Sequence, residues 1–327
     1  MHLAVILVAA AVAAKPAPYK SAFGPHKVTI ESVTWNDAAR EKREVPAKIY
    51  WPDVAACPCP VVVFSPGLGG SNEHYVYVGS HWASHGYVVA VLTHRGSDTV
   101  AVKAAWKTSD GWPRERVKKS LATVIADSDA RKARPKDVSF ALDQLAARNE
   151  SDAAWKGKLD LAHVGVAGHS YGAWTTMVTM GAGTAGGEDF RDARFVAGVA
   201  MSPQGMTGWS AFDEKSWAAV TSPMLYLTGT KDDLGDQPAK GRRGPFDHST
   251  AKDQYLVIID DAAHLAFSDN DSLLFGGTRD KRHHGWILQE TTAFWDATLR
   301  GDATAKAWLD GESLESVTGG EAKVEHR

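Results

Sequence analysis

The chain has 327 residues, a formal net charge of −3 and 44% hydrophobic residues. That length suits one large α/β domain or two small ones, and the apolar content is enough for a full core. The charge excludes a strongly basic nucleic-acid-binding surface.

Residues 1–14 form an apolar run that ends in small residues. The run has the make-up of a secretory signal peptide, without Lys or Arg at its start. It is short for a bilayer span, and no cysteine lies near its end to take a lipid. The sequence therefore predicts an exported protein, periplasmic or secreted, with no stable membrane span after signal removal. Residues 15–24 read as a linker, 25–310 as the main α/β domain and 311–327 as a polar tail. Residues 28–35 and 45–51 read as two opening antiparallel strands. Cys57 and Cys59, one residue apart, would close a strained ring, so two free or weakly bridged thiols are expected. Their spacing matches no zinc site.

A third strand is predicted over 60–64, a helix over 74–85 and a fourth strand over 87–93. Residues 95–136 read as an insertion that caps the site or walls its pocket, with a helix over 114–127. A helix over 135–147 follows. Further strands are predicted over 195–201, 223–228 and 254–259, then helices over 283–299 and 303–309.

Chemistry concentrates at the ends of these strands. His163-Val-Gly-Val-Ala-Gly168-His169-Ser170-Tyr171-Gly172-Ala173 reads as a strand, a Gly-x-Ser-x-Gly turn and the start of a helix. That context strains the serine backbone and exposes its hydroxyl. A hydroxyl needs a base, and the base needs an orienting acid, in the chain order Ser, Asp or Glu, His. The strand at 223–228 runs into Asp232 and Asp233, and the strand at 254–259 runs into His264. Ser170, Asp232 and His264 are the predicted triad, with Asp233 one register step away as the alternative acid. The Gly-rich turn Ser65-Pro66-Gly67-Leu68-Gly69-Gly70 can aim an N–H at a developing oxyanion. Leu68 and Tyr171 are the expected backbone donors. Among the twelve tryptophans, Trp106, Trp112, Trp174 and Trp209 lie in segments that could line the substrate cleft.

Other patterns carry less. Gly181-Ala-Gly183-Thr-Ala-Gly186 mimics a dinucleotide fingerprint but follows a helix, so it reads as a helix stop. His81 and His85 lack a third metal ligand. His169, beside the nucleophile, shapes the elbow or packs under the sheet and is not counted as a base. No metal and no cofactor is expected.

The runs Val61-Val-Val-Phe-Ser-Pro-Gly-Leu-Gly-Gly-Ser71, Ala83-Ser-His-Gly-Tyr-Val-Val-Ala-Val91, Thr93-His-Arg-Gly96 and Arg134-Pro-Lys-Asp-Val-Ser-Phe-Ala-Leu-Asp-Gln-Leu145, with the elbow, resemble α/β-hydrolases. They are similar in particular to the platelet-activating-factor acetylhydrolase-like and predicted dienelactone-hydrolase-like serine esterases. The resemblance implies an α/β-hydrolase fold, a mostly parallel eight-stranded sheet flanked by helices. It also implies metal-independent hydrolysis of short acyl esters, with a small-molecule or lipid-like ester as substrate. Two departures stand out. In the acetylhydrolases the acid follows the sixth strand, where this chain has Ser202; the dienelactone hydrolases use a cysteine where this chain has Ser170. A polyester or cutin hydrolase, and a peptidase or acyltransferase on the same triad, stay open as alternatives, as does a non-catalytic binding protein. No oligomeric state is read from the sequence.

Overall fold

Val61, Val62, Val63 and Phe64 are all fully buried. Successive strand side chains point to opposite faces, so a strand that is apolar at every position must be covered on both sides. Val61 and Val63 join one core cluster, which packs against Val138, Leu142 and Met177. Val62 and Phe64 join the other, with Trp82, Phe294 and Trp295. The result is a three-layer α/β/α arrangement around a central sheet.

The computed structural model describes residues 16–53, 58–235, 237–269 and 280–327. The predicted signal segment, Cys57 and part of the loop after His264 lie outside these residues. The strands are β1 Val28–Asp37, β2 Arg43–Pro52, β3 Cys59–Ser65, β4 Val88–Leu92, β5 Leu159–His169, β6 Phe195–Met201, β7 Met224–Lys231, β8 Gln254–Ala263 and β9 Ala322–His326. The helices are α1 Val76–Ser84, α2 Thr99–Thr108, α3 Pro113–Ala126, α4 Ser128–Ser151, α5 Tyr171–Thr179, α6 Gly244–His248, α7 Lys281–Arg300, α8 Ala303–Asp310 and α9 Ser313–Thr318. The sheet runs in the order β1-β2-β4-β3-β5-β6-β7-β8-β9. The pairs from β4 through β3, β5, β6 and β7 to β8 are parallel. The three outer pairs are antiparallel.

Two expectations need correction. The sheet has nine strands, not eight, because part of the stretch read as a polar tail forms β9 and pairs with β8. Helix α4 starts two turns before Pro135, which lies inside it. Proline costs an interior helix roughly 3 kcal/mol through its missing N–H. Here Asp127 caps the earlier start by accepting the N–H groups of Asp129 and Ala130, and Ala130, Arg134, Val138, Ala141 and Leu145 continue one buried stripe through the proline. Of the two states left open for Cys59, free or weakly bridged, it is disulfide-bonded. The linker expected at 15–24 also makes fixed contacts. The Tyr19 hydroxyl donates to Asp296 at 2.9 Å, and Lys20 pairs with the same carboxylate at 2.5 Å.

One buried acid makes stability depend on pH. Glu290 of α7 is 1% exposed. The Trp308 indole N–H donates to its Oε2 at 3.0 Å, while Oε1 meets no partner among the described residues. Burial pushes this carboxyl up from 4.5 to about 7, and the Trp308 bond opposes the shift only in part. The folded state therefore holds a proton that the unfolded chain releases earlier. Stability from this site is full below the unfolded value and is lost as pH rises toward the folded one, at about 1.4 kcal/mol per pH unit. Glu290→Gln is expected to raise stability by on the order of 3 kcal/mol at pH 8 and by little near pH 4.5. Urea midpoints of both proteins across that range check it. A stability gap that does not vary with pH contradicts the account.

Candidate active site

Ser170 stands in the tight turn between β5 and α5, with φ 54° and ψ −118°. A serine takes a left-handed φ only where its surroundings impose it, at roughly 1–3 kcal/mol. Here the Ser170 N–H donates to the Met201 carbonyl at 2.9 Å, which ties the turn to the end of β6. The neighbouring glycines are required by close approach. A Cβ on Gly172 would lie 1.8 Å from the Ser65 carbonyl oxygen, and one on Gly168 would lie 2.3 Å from the Gly172 oxygen. The strand, the helix and the end of β3 therefore meet at van der Waals limits and push Ser170 forward.

The predicted partners converge on it from successive strand ends. Ser170 Oγ lies 2.8 Å from His264 Nε2. On the other side of the ring, His264 Nδ1 lies 2.8 Å from Asp232 Oδ1. Asp232 is fully buried, and its second oxygen accepts the hydroxyls of Ser202 at 2.6 Å and Thr228 at 2.9 Å. Burial raises the cost of its charge, but His264, Arg242 and the Ser202 hydroxyl outweigh that cost. Asp232 accordingly titrates below the usual carboxylate range. An ionised Asp232 keeps the proton on Nδ1 and leaves the Nε2 lone pair facing Ser170. Asp233 is exposed and accepts the Ala239 N–H at 3.0 Å, away from the ring. The position after β6, where the resemblance to the acetylhydrolases would place the acid, holds Ser202, here a hydrogen-bond donor to Asp232 just after β7.

The N–H groups expected to receive an oxyanion differ from their neighbours in hydrogen bonding. In the loop after β3, the Gly67 N–H donates to the Tyr75 hydroxyl at 3.0 Å, and Gly69 and Gly70 donate to the Ser97 and Gly67 carbonyls. The Leu68 N–H, and that of Tyr171 at the start of α5, meet no acceptor among the described residues.

Residues beyond Ser170, Asp232 and His264 also hold the site together. Arg242 is 1% exposed and binds Asp232 through its side-chain carboxylate at 2.9 Å and its backbone carbonyl at 2.7 Å. It also donates to the Ser202 carbonyl at 3.0 Å, fixing the ends of β6 and β7 together. His169 bridges two loops. Its Nε2 donates to the His264 carbonyl at 3.0 Å, so its Nδ1 must accept from the Tyr75 hydroxyl at 2.9 Å. Burial and the neighbouring His264 push His169 well below the ordinary histidine range, so it stays neutral. Of the two roles the sequence left open for His169, these bonds favour shaping the elbow, which they tie to the loop that carries His264.

A second Ser-His-Asp constellation lies beneath the site. Ser65 Oγ is 2.9 Å from His94 Nε2, and His94 Nδ1 is 3.0 Å from Asp137 Oδ2. All three are buried, at 0%, 1% and 0% exposure. Ser65 Oγ also accepts from Arg134 at 3.1 Å, which engages the lone pair a nucleophile would use. Its backbone belongs to β3 and lacks the positive φ seen at Ser170.

The four tryptophans separate. Trp112 is 79% exposed at the turn between α2 and α3. Trp106 lies under the Arg116 guanidinium, 4.4 Å away. Trp209 packs edge-on against the Tyr171 ring at 5.3 Å. Trp174 is a core residue, 2% exposed, with its indole N–H on the Ser210 carbonyl at 3.0 Å. It also lines a cavity of about 310 Å³ beside α4 and α5, but Ser170, Asp232 and His264 do not.

Known proteins resemble both the fold and the sequence. A ferulic acid esterase from Streptomyces cinnamoneus superposes with a TM-score of 0.66 at 18% identity, over 94% of this chain and 99% of that one. It shares the α/β-hydrolase fold. The platelet-activating factor acetylhydrolase of Cavia porcellus is 29% identical over 245 residues, 69% of this chain and 52% of that protein. The Canis lupus familiaris protein of the same name is 23% identical over 230 residues, 64% of this chain and 48% of that one. The chain spans about half the length of these relatives. The family described as platelet-activating factor acetylhydrolase, isoform II, matches residues 54–271, well over half of the sequence, and the chain belongs to that family.

Proposed function

We propose that this protein is a metal-independent serine carboxylic-ester hydrolase acting on short acyl esters. The observation that carries the reading is the continuous hydrogen-bonded path from Asp232 through His264 to Ser170, with the serine strained at the mouth of a helix. Ser170 attacks the ester carbonyl while His264 Nε2 takes its proton. Asp232 stabilises the imidazolium, and the Leu68 and Tyr171 N–H groups receive the oxyanion. His264 then returns the proton to the leaving alcohol, and water, deprotonated by the same ring, releases the acid. Export is part of the proposal, supported by the apolar opening of the sequence and by the disulfide at Cys59, a bond that persists in oxidising compartments. Among the described residues no helix is long and apolar enough to cross a membrane.

The test is hydrolysis of p-nitrophenyl esters from acetate to palmitate, together with labelling by a fluorophosphonate and mapping of the modified peptide. Turnover that peaks at short chains, with the label on Ser170, is the expected result. A label on Ser65, or a peak at long chains, refutes the corresponding part of the proposal.

A further inference from the structure

We propose that Arg134 is the positioning residue that holds the two arms of the oxyanion site in register. The inference rests on the serine-hydrolase reading above. The two arms come from distant parts of the chain, the loop after β3 and the first turn of α5, and one buried guanidinium touches both. Arg134 is 1% exposed. Toward the first arm, its Nη2 donates to the Pro66 carbonyl, two residues before Leu68, and to Ser65 Oγ at 3.1 Å. Toward the second, its Nε donates to Thr175 Oγ1 at 2.9 Å, and that hydroxyl donates in turn to the Tyr171 carbonyl at 3.1 Å. The guanidinium carbon lies 4.4 Å over the Tyr171 ring. The planar fork of arginine makes this possible, because its donors leave in fixed directions from a single plane, which lysine cannot reproduce.

A buried cation needs a reason to stay. Its countercharge is Asp137, one turn along α4, reached through His94 and Ser65. Asp137 is held at about 2 by His94 and Arg43 against the cost of burial. His94 is pushed down to about 4, first by burial and then by Arg134 itself. A neutral His94 beside an ionised Asp137 must carry its proton on Nδ1. Its Nε2 then accepts the Ser65 hydroxyl, and the Ser65 lone pair turns to Arg134. The second Ser-His-Asp constellation is thereby a fixed wire of polarised hydrogen bonds that keeps the guanidinium in place and performs no acyl transfer.

Oxyanion donors act in the transition state, so a displaced donor lowers kcat and leaves ground-state binding alone. Arg134→Lys, in the full chain, is expected to lower kcat about 100-fold on p-nitrophenyl acetate with KM changed less than about threefold. Its affinity for a phenylboronic acid, which mimics the tetrahedral intermediate on Ser170, should fall by a similar factor. Thr175→Val cuts only the link to Tyr171 and keeps the side-chain volume; about a tenfold loss of kcat is expected, again at constant KM. If Arg134→Lys does not fold, Thr175→Val decides. Folded variants with wild-type kcat, or a loss carried by KM with boronate affinity unchanged, overturn the assignment. A wild-type protein that neither cleaves the ester nor binds the boronate overturns the hydrolase reading itself and the clamp with it. A wild type that does both while the variants behave normally overturns the clamp alone.

Discussion

Ser170→Ala is expected to lower kcat on a short p-nitrophenyl ester by about 10⁴- to 10⁶-fold, leaving only what oxyanion donation and binding supply without a nucleophile. His264→Ala should cost nearly as much. The double variant should be hardly worse than either, because nucleophile and base act as one unit. Ser65→Ala is the control. Its hydroxyl also lies 2.9 Å from a histidine that is paired with an aspartate, yet it is sealed from solvent and held by Arg134. Ser65→Ala should retain activity within about tenfold of wild type, the loss coming only from a loosened support for the oxyanion loop. Initial rates measured on freshly purified variants, checked for folding by near-ultraviolet circular dichroism, distinguish the two serines. If Ser170→Ala keeps wild-type turnover, the nucleophile lies elsewhere.

The second large effect is at the acid. Asp232→Asn is expected to lower kcat about 10⁴-fold near pH 7, with little change in KM. An amide can offer its N–H toward Nδ1 and favour the tautomer with the proton on Nε2, which faces Ser170 and cannot accept. Asp233→Asn should be close to wild type, since its carboxylate is exposed and caps the Ala239 N–H. Side-by-side kinetics of the two variants settle the one-residue register that the sequence leaves open. Equal losses would mean that neither acid is specifically paired with the base.

The grouping of Ser170, Asp232 and His264 was legible because each follows an apolar strand, and strand ends in an open α/β sheet converge on one edge. It carried the strands of the sheet interior for the same reason, since uninterrupted Val-rich runs such as 61–64 allow little else. Arg134, Arg242 and Tyr75 were not legible. Each reaches the site from a helix or loop whose contact depends on packing, and an arginine inside a charged run looks like a solvated side chain until the fold buries it. The start of α4 was misplaced because proline is a strong local stop, whereas the Asp127 cap and the buried stripe behind it act only once the sheet is present. β9 was missed because Ala322-Lys-Val-Glu-His326 is half polar, as suits a strand at an edge.

The strained turn at Ser170 has a consequence for when the protein becomes reactive. The turn is locked by pairing of β5 with β3 on one side and β6 on the other, including Ser65 opposite Gly168 and His169 opposite Met201. The first of these contacts joins parts of the chain about a hundred positions apart, the kind of pairing that closes slowly. A chain that has formed only its local helices has nothing to hold the serine at positive φ, and its turn relaxes. On the serine-hydrolase reading, the reactive geometry of Ser170 is therefore completed by the same event that completes the sheet.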